Sequence, residues 1–118
     1  MRDHRKLRAF ELADQLALTI YRETKCFPNT EQFGLTSQLR RGAISVASDI
    51  VEGCARRTKS DYTRFLDIAY GSVRELEYQI SLASRLGFFN EQQSSDIANQ
   101  CEETAKVLYG LIQGLRRS

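Results

Sequence analysis

The sequence predicts an all-α fold: an antiparallel up-down-up-down four-helix bundle that forms a single domain over residues 1–118. Apolar residues recur at steps of three and four through four long segments, which is the spacing of one helix face. The only proline is Pro28, so little interrupts long helices. A hydrophobic share of 42% in 118 residues suits one globular core. We predict helices at about 7–26, 36–57, 61–86 and 91–116.

The first predicted helix, from about Leu7 to Cys26, has one apolar face. That face comprises Phe10, Ala13, Ala17, Ile20 and Thr24. The segment after it ends the helix, because Pro28 does not continue a helix easily and Gly34 can take a left-handed turn conformation.

The second predicted helix carries two apolar stripes. The first comprises Leu39, Ala43, Val46, Ile50 and Gly53. The second comprises Ile44, Ala47, Val51 and Ala55. One bundle core needs only one such stripe. We therefore expect the second stripe to be an interface between copies of the chain in a homo-oligomer.

The third and fourth helices continue the pattern, and short links favour antiparallel neighbours. The third has an unbroken 3.5-residue repeat: Tyr62, Leu66, Ala69, Val73, Leu76, Ile80 and Ala83. We expect Ser60 as its N-cap, Gly87 just beyond its end, and close helix packing at Gly71 and Ser72. The fourth helix is expected to open with a capping box. Its two residues are Asn90 and Gln93.

Three segments together resemble a known family. They are IYRET at residues 20–24, LTSQLRRGAISVASDIVEGCARR at 35–57 and FLDIAYGSVRELEYQI at 65–80. These motifs resemble the 23S rRNA intervening-sequence protein family of bacterial four-helix bundles. The resemblance implies a cytosolic homo-oligomer, typically a homopentamer, without a settled activity. It also implies kinship with the accessory proteins of diversity-generating retroelements, which bind nucleic acid and a reverse transcriptase.

The chain departs from that family pattern at two positions in the second helix. Gly42 stands where alanine is common, and Asp49 stands where asparagine is usual. The change at Asp49 adds a negative charge. Any polar contact that the family's asparagine makes is therefore not carried over to this chain.

Catalytic and metal-binding motifs are missing from the sequence. The only histidine is His4, and the three cysteines, Cys26, Cys54 and Cys101, are far apart, so no zinc-like spacing arises. There is no phosphate-binding glycine loop and no nucleophile placed beside a histidine. We therefore expect no enzyme activity, no cofactor and no metal, with the cysteines as structural thiols. The lack of an apolar run after the charged N-terminus suggests a cytoplasmic protein without a membrane partner.

A polar stripe also runs along the second predicted helix. It comprises Arg41, Ser45, Ser48, Glu52 and Arg56. One interpretation is a site for an anionic ligand. The other, which we favour, is an ion-pair network that fixes register between helices or subunits, with Glu75 as the cross-helix partner of an arginine.

Basic residues concentrate at one end of the predicted bundle. We call this end the basic pole, and it comprises Arg2, Arg5, Lys6, Arg8, Arg56, Arg57, Lys59, Arg64, Arg116 and Arg117. Helix dipoles account for some of these charges but not for the basic N-terminal tail. The aromatic residues are not interleaved with basic ones in the sequence, unlike those of single-strand binders. We expect a non-enzymatic oligomeric interaction module that binds RNA or DNA through the basic pole. A ring that acts as a protein–protein scaffold is the alternative.

Overall fold

The computed structural model describes residues 2–118, and within that range it contains helices and no strands. The four long helices are α1 (Arg8–Glu23), α2 (Leu35–Cys54), α3 (Lys59–Arg85) and α4 (Glu91–Arg117). Short 3₁₀ turns occupy His4–Lys6, Thr24–Cys26 and Asn29–Glu31. The predicted all-α fold with four helices is confirmed.

Each long helix packs against two others, so the four surround one core. α1 contacts α2 and α4, α3 contacts the same two helices, and the α2–α3 interface is the most extensive. The whole heptad-like stripe of α3 is buried, as its 3.5-residue repeat predicts. The molecule measures 45 × 23 × 19 Å, and α3 alone spans about 40 Å of its length.

Helix caps confirm two predictions and correct a third. Asn90 and Gln93 form the expected capping box at α4, and Gly87 adopts a φ of 80° after α3. The predicted N-cap at Ser60 is wrong. Thr58 has an extended backbone, and its hydroxyl accepts a hydrogen bond from the backbone N–H of Asp61 at 3.0 Å. α3 therefore begins two residues earlier than predicted.

α2 ends at Cys54, three residues before the predicted end. Its last turn tightens, since the backbone N–H groups of Ala55 and Arg56 donate to the carbonyls of Glu52 and Gly53. Hydrogen bonds between residues three positions apart, as in a 3₁₀ helix, are common in the last turn of an α-helix. As a consequence, Arg56 and Arg57 lie in the α2–α3 link rather than on the helix.

Gly53, and not Gly71, marks a close helix approach. A Cβ atom added at Gly53 would lie 3.0 Å from Cβ of Phe65 and 3.3 Å from Cδ1 of Tyr62 on α3. Around Gly71 no atom of another helix would lie within 4 Å of an added Cβ. The expectation that Gly71 packs closely against another helix is therefore wrong within the chain.

Candidate nucleic-acid interface

The α2–α3 link forms the centre of the basic pole. An open pocket of about 780 Å³ is lined there by Arg2, Ala55, Arg56 and Arg57. Arg2 reaches across from the N-terminal segment and donates from Nη1 to the carbonyl oxygen of Arg56 at 3.1 Å. Its guanidinium lies 4.0 Å from the centre of the Tyr62 ring, a cation–π distance. Arg2 thus lines one cavity with Arg56 and Arg57, although it lies 54 positions before Arg56 in the sequence.

Local contacts hold the N-terminal segment in place. The carboxylate of Asp3 accepts hydrogen bonds from the Arg5 backbone N–H at 3.1 Å and from Nε of Arg5 at 3.0 Å. These bonds lower the pKa of Asp3, chiefly through the Arg5 side chain. The rings of His4 and Phe10 make a T-shaped contact, with 4.7 Å between ring centres. The segment that carries Arg2 is therefore anchored to α1.

Several basic residues of the pole are already paired with carboxylates. Arg8 lies 2.7 Å from Glu11 and 3.0 Å from Glu103. Arg116 lies 2.7 Å from Asp67. Two further pairs are Arg5–Asp3 and Arg64–Asp61, at 3.0 and 3.8 Å. These carboxylates neutralise part of the charge that the sequence places at this end.

Six basic side chains of the pole form no ion pair with a carboxylate within 4.0 Å in residues 2–118. They are Arg2, Lys6, Arg56, Arg57, Lys59 and Arg117. Of these, Lys59 contacts the carbonyl and hydroxyl oxygens of Ser118. The guanidinium groups of Arg56 and Arg64 both lie over Phe65, at 4.8 and 4.6 Å from its ring centre. The uncompensated positive charge therefore concentrates around the pocket of the α2–α3 link.

The predicted polar network is not formed within the chain. Arg41, Glu52 and Glu75 are exposed and make no ion pair in residues 2–118, and Arg56 lies over Phe65 instead. The reason is that these side chains project from the outer surface of the bundle, where no opposite charge comes within reach. Pairing between subunits and the binding of an anionic ligand there stay predictions.

The second stripe of α2 lies beside α1 and is partly open to solvent. Arg40, on the same side of α2, donates from Nε to Oγ1 of Thr24 at 2.9 Å, which orients this side toward α1. Ile44 is 43% exposed, Ala47 and Val51 are half-buried, and Ala55 is exposed. On α1, Leu18 and Tyr21 are exposed as well. We call this surface the apolar strip and define it as Leu18, Tyr21, Ile44, Ala47 and Val51.

Sequence reasoning missed an aromatic pair between α3 and α4. The ring centres of Tyr70 and Tyr109 lie 5.9 Å apart, and the rings are inclined by 48°. Together with Arg74 and Lys106 they line a cavity of about 330 Å³. Helical spacing offered a signal, because Arg74 lies four residues after Tyr70 and Lys106 three before Tyr109. The packing of α3 against α4 is needed to bring the Tyr70–Arg74 pair and the Lys106–Tyr109 pair together.

The chain matches the family model described as 23S rRNA-intervening sequence protein over residues 5–110. The chain belongs to this family. Among solved structures, the chain is similar to a protein of unknown function from the S23 ribosomal protein family of Bacteroides thetaiotaomicron. The two share 24% identity and a TM-score of 0.82, over 88% of this chain and 97% of that one. At this identity the likeness shows the fold alone. No curated protein matches the chain.

The two departures from the family pattern have different surroundings. A Cβ at Gly42 would lie 3.5 Å from the side chains of Gln79 and Leu76, an ordinary contact, so the alanine common in the 23S rRNA-intervening sequence proteins fits here. Asp49 is half-buried. Burial, with a smaller contribution from the charge of Glu52, raises its pKa. The carboxylate at this position therefore has a desolvation cost that an asparagine would avoid.

The three thiols of this family member differ in burial. Burial raises the pKa of Cys101 to about 12 and also raises the pKa of Cys54, so both thiols stay protonated. The third thiol, Cys26, is exposed, and all three are free. Within residues 2–118, no three His, Cys, Asp or Glu side chains are grouped to hold a metal. In the same range no helix has the length and apolar character to cross a bilayer.

Proposed function

We propose that this protein is a cytoplasmic, non-enzymatic, self-associating module that binds nucleic acid through its basic pole. One observation carries the proposal: Arg2, Arg56 and Arg57 surround a solvent-open pocket without a carboxylate partner. Phosphate groups bind such sites because each contact releases condensed counterions from the nucleic acid. Arginine also donates several hydrogen bonds to one phosphate.

Contacts between helix ends support an antiparallel up-down-up-down arrangement. The start of α3 meets the end of α4, where Asp67 pairs with Arg116 at 2.7 Å. The end of α3 meets the start of α4, where Ser84 and Ser94 share a hydrogen bond of 2.6 Å. This arrangement brings the N-terminal segment, the α2–α3 link and the end of α4 to one end of the bundle. The basic pole is its consequence.

Self-association is the second element of the proposal. The apolar strip exposes aliphatic and aromatic area that a second copy of the chain would cover. Subunits packed side by side would join their basic poles into one larger positive surface. The family resemblance suggests a ring of five. Val51→Asp places a charge at this contact and is expected to reduce the mass measured by light scattering during size exclusion. A monomeric wild-type protein at micromolar concentration would contradict self-association.

The binding experiment measures the anisotropy of labelled RNA and DNA over a salt series. Log affinity should fall linearly with log salt, with a slope of about −0.7 to −0.9 per phosphate contact. Arg56→Glu with Arg57→Glu removes two contacts, so the slope should become shallower by about 1.4 to 1.8 while affinity falls sharply. Arg116 is a poor choice, because a glutamate there would face Asp67.

A charge-matched control is Lys25→Glu with Arg85→Glu. Both residues lie near helix C-termini, as Arg56 and Arg57 do, so the two double variants lose similar helix-dipole interactions. Lys25 and Arg85 lie outside the basic pole, so the control should bind like the wild type. Equal losses in both variants would show that net charge, and not the pole, governs binding.

A protein–protein scaffold is the second candidate function. The observation that favours it is the apolar strip, which is suited to a protein surface rather than to phosphate groups. If wild-type protein binds neither RNA nor DNA at about 50 mM salt, where electrostatic binding is strong, the nucleic-acid proposal is wrong. The scaffold would then be the function that the surface supports.

A further inference from the structure

A second cavity with cations in its wall lies where α1 connects to α2. It has a volume of about 240 Å³, and its two cations are Lys25 and Arg40. The wall also includes the neutral polar side chains of Asn29, Gln32 and Thr36. Within residues 2–118 no carboxylate lines it. From Arg40 to Cys54 the helix rises about 21 Å, so this cavity, which we call the Arg40 cavity, is separate from the pocket of the basic pole.

Contacts with α1 hold the guanidinium group of Arg40 in place. Its Nε donates to Oγ1 of Thr24 at 2.9 Å, and its Nη2 donates to the carbonyl oxygen of Tyr21 at 3.3 Å. The guanidinium also lies 4.7 Å from the centre of the Tyr21 ring. Thr24 is buried, and because its hydroxyl donates to the carbonyl of Ile20 at 2.6 Å, its oxygen is left to accept from Arg40. The cation is therefore oriented before a ligand binds.

Neither cation of the Arg40 cavity has a counter-charge within 4.0 Å in the part of the chain that the structure describes. The acidic residues at this connection have other partners. Glu23 lies 3.9 Å from Arg22, and the carboxylate of Glu31 accepts from the backbone N–H of Leu35 at 3.0 Å. Arg40 is half-buried, and a cation that is partly removed from water without a partner has a desolvation cost. An anion in the cavity would offset that cost.

We infer that the Arg40 cavity binds a small phosphate compound, either inorganic phosphate or a small phosphate monoester. A phosphate monoester carries about −1.5 to −2 charges near pH 7, which matches the two unpaired cations. Contacts with α1 use two of the five N–H groups of Arg40, so three donors remain for phosphate oxygens. The volume equals that of roughly eight water molecules at about 30 Å³ each, so the cavity suits a small molecule rather than a stretch of nucleic acid. This site is independent of nucleic-acid binding at the basic pole.

The test measures the Tm over a series of sodium phosphate concentrations, at constant ionic strength and one protein concentration. The parent protein is Arg56→Glu with Arg57→Glu, so that the basic pole does not contribute to phosphate binding. Phosphate should raise its Tm, because a ligand that binds only the folded state stabilises it. Phosphate salts also stabilise proteins in general by exclusion from their surface. That general effect is common to all variants, so the differences between variants report on the site.

Three variants of this parent locate the binding. Arg40→Gln removes the charge and keeps a polar, helix-forming side chain, so the phosphate concentration that gives a set Tm shift should rise about tenfold or more. Lys25→Gln should reduce the shift as well, and its side chain is exposed, so the fold is unaffected. Arg41→Gln is the matched control. Arg41 is the next residue of α2, is exposed without an ion pair in residues 2–118, and lies outside the wall of the cavity.

The outcomes decide the inference without reference to nucleic acid. Equal phosphate shifts in Arg40→Gln and Arg41→Gln overturn it, even if the basic pole binds RNA or DNA. If Arg40→Gln does not fold, equal shifts in Lys25→Gln and Arg41→Gln overturn it instead. Sodium acetate that stabilises the parent as well as phosphate does would show a general anion site and overturn the assignment to phosphate. A shift that Arg40→Gln abolishes supports the inference, and comparison of inorganic phosphate with glycerol 3-phosphate then identifies which source of phosphate binds.

Discussion

The same substitution, glycine to alanine, should have opposite effects at two positions of the bundle. At Gly71 no atom of another helix would lie within 4 Å of the new methyl group, so alanine gains its better helix propensity of about 1 kcal/mol without a clash. At Gly53 the methyl group would lie 3.0 Å from Cβ of Phe65. That atom is fixed to the backbone of α3, so relief requires the two helices to separate.

The magnitude at Gly53 follows from two opposing terms. Overpacking a tight contact costs about 1–3 kcal/mol, and alanine returns at most about 0.5–1 kcal/mol. The gain is small here because Gly53 lies in the last turn of α2. We expect Gly53→Ala to lower the free energy of unfolding by about 1 kcal/mol and the Tm by about 3–5 °C for a chain of this length. Gly71→Ala should raise the Tm by a similar amount.

Thermal unfolding followed by circular dichroism measures both effects. All variants must be compared at one protein concentration, because self-association makes the Tm depend on concentration. Gly42→Ala is an internal check, since its methyl group would make only ordinary contacts at 3.5 Å and should also be stabilising. A Gly53→Ala protein that melts at or above the Tm of Gly71→Ala would refute the packing argument.

Three further predictions concern charge, capping and thiols. Asp49→Asn should raise the Tm at pH 7, because the folded state raises the pKa of Asp49 above its usual 3.8 and the charged form is therefore unfavourable. Thr58→Ala should cost about 1 kcal/mol by removing the α3 cap, whereas Ser60→Ala should cost little, as denaturant unfolding would measure. Reductant or chelator should leave the Tm unchanged, since Cys54 and Cys101 are free and buried.

Each of these predictions has a result that would contradict it. The linkage at Asp49 requires the free energy of unfolding to fall as pH rises from about 3.8 through the raised pKa, so the gain from asparagine should vanish in acid. If Asp49→Asn still stabilises the protein below about pH 3.8, the stabilisation has another cause. A larger loss of unfolding free energy in Ser60→Ala than in Thr58→Ala would show that Ser60, and not Thr58, is the N-cap of α3. A Tm that drops by several degrees with reductant or chelator would indicate a disulfide or a bound metal.

The fold was predictable because its signals are local. The stripe of α3 is a periodic pattern within 27 residues, and the capping box of α4 spans only four. The end of α2 was harder to predict, since no breaker residue marks it and its last turn tightens where Gly53 packs closely against α3. Where tertiary contacts decide a boundary, helix propensity alone does not locate it.

The candidate site was less predictable, because its determinants are distant in sequence. The predicted topology groups the basic residues at one end, and the structure brings Arg2, Arg56 and Arg57 to one pocket at the α2–α3 link. The topology did not reveal which of them are neutralised, since Arg8 pairs with Glu103 at a sequence separation of 95 and Arg116 pairs with Asp67 at a separation of 49. The pairing of Tyr70 with Tyr109 is likewise a product of the α3–α4 interface. The topology predicted from a sequence indicates the total charge at one end of a bundle, whereas only the structure shows which of those charges are neutralised by ion pairs.

The position of Phe65 has a consequence for the thermodynamics of the pole. Its ring holds two guanidinium groups, those of Arg56 and Arg64, each within 5 Å of one centroid. Folding has already restricted these long side chains, so a ligand loses less conformational entropy when it binds them. Arg64 is also paired with Asp61 at 3.8 Å, whereas Arg56 has no carboxylate within 4.0 Å in residues 2–118, so an anion that contacts Arg56 meets uncompensated positive charge. Inorganic phosphate should therefore stabilise the folded protein, and its thermal shift is a direct measure of the preorganised charge.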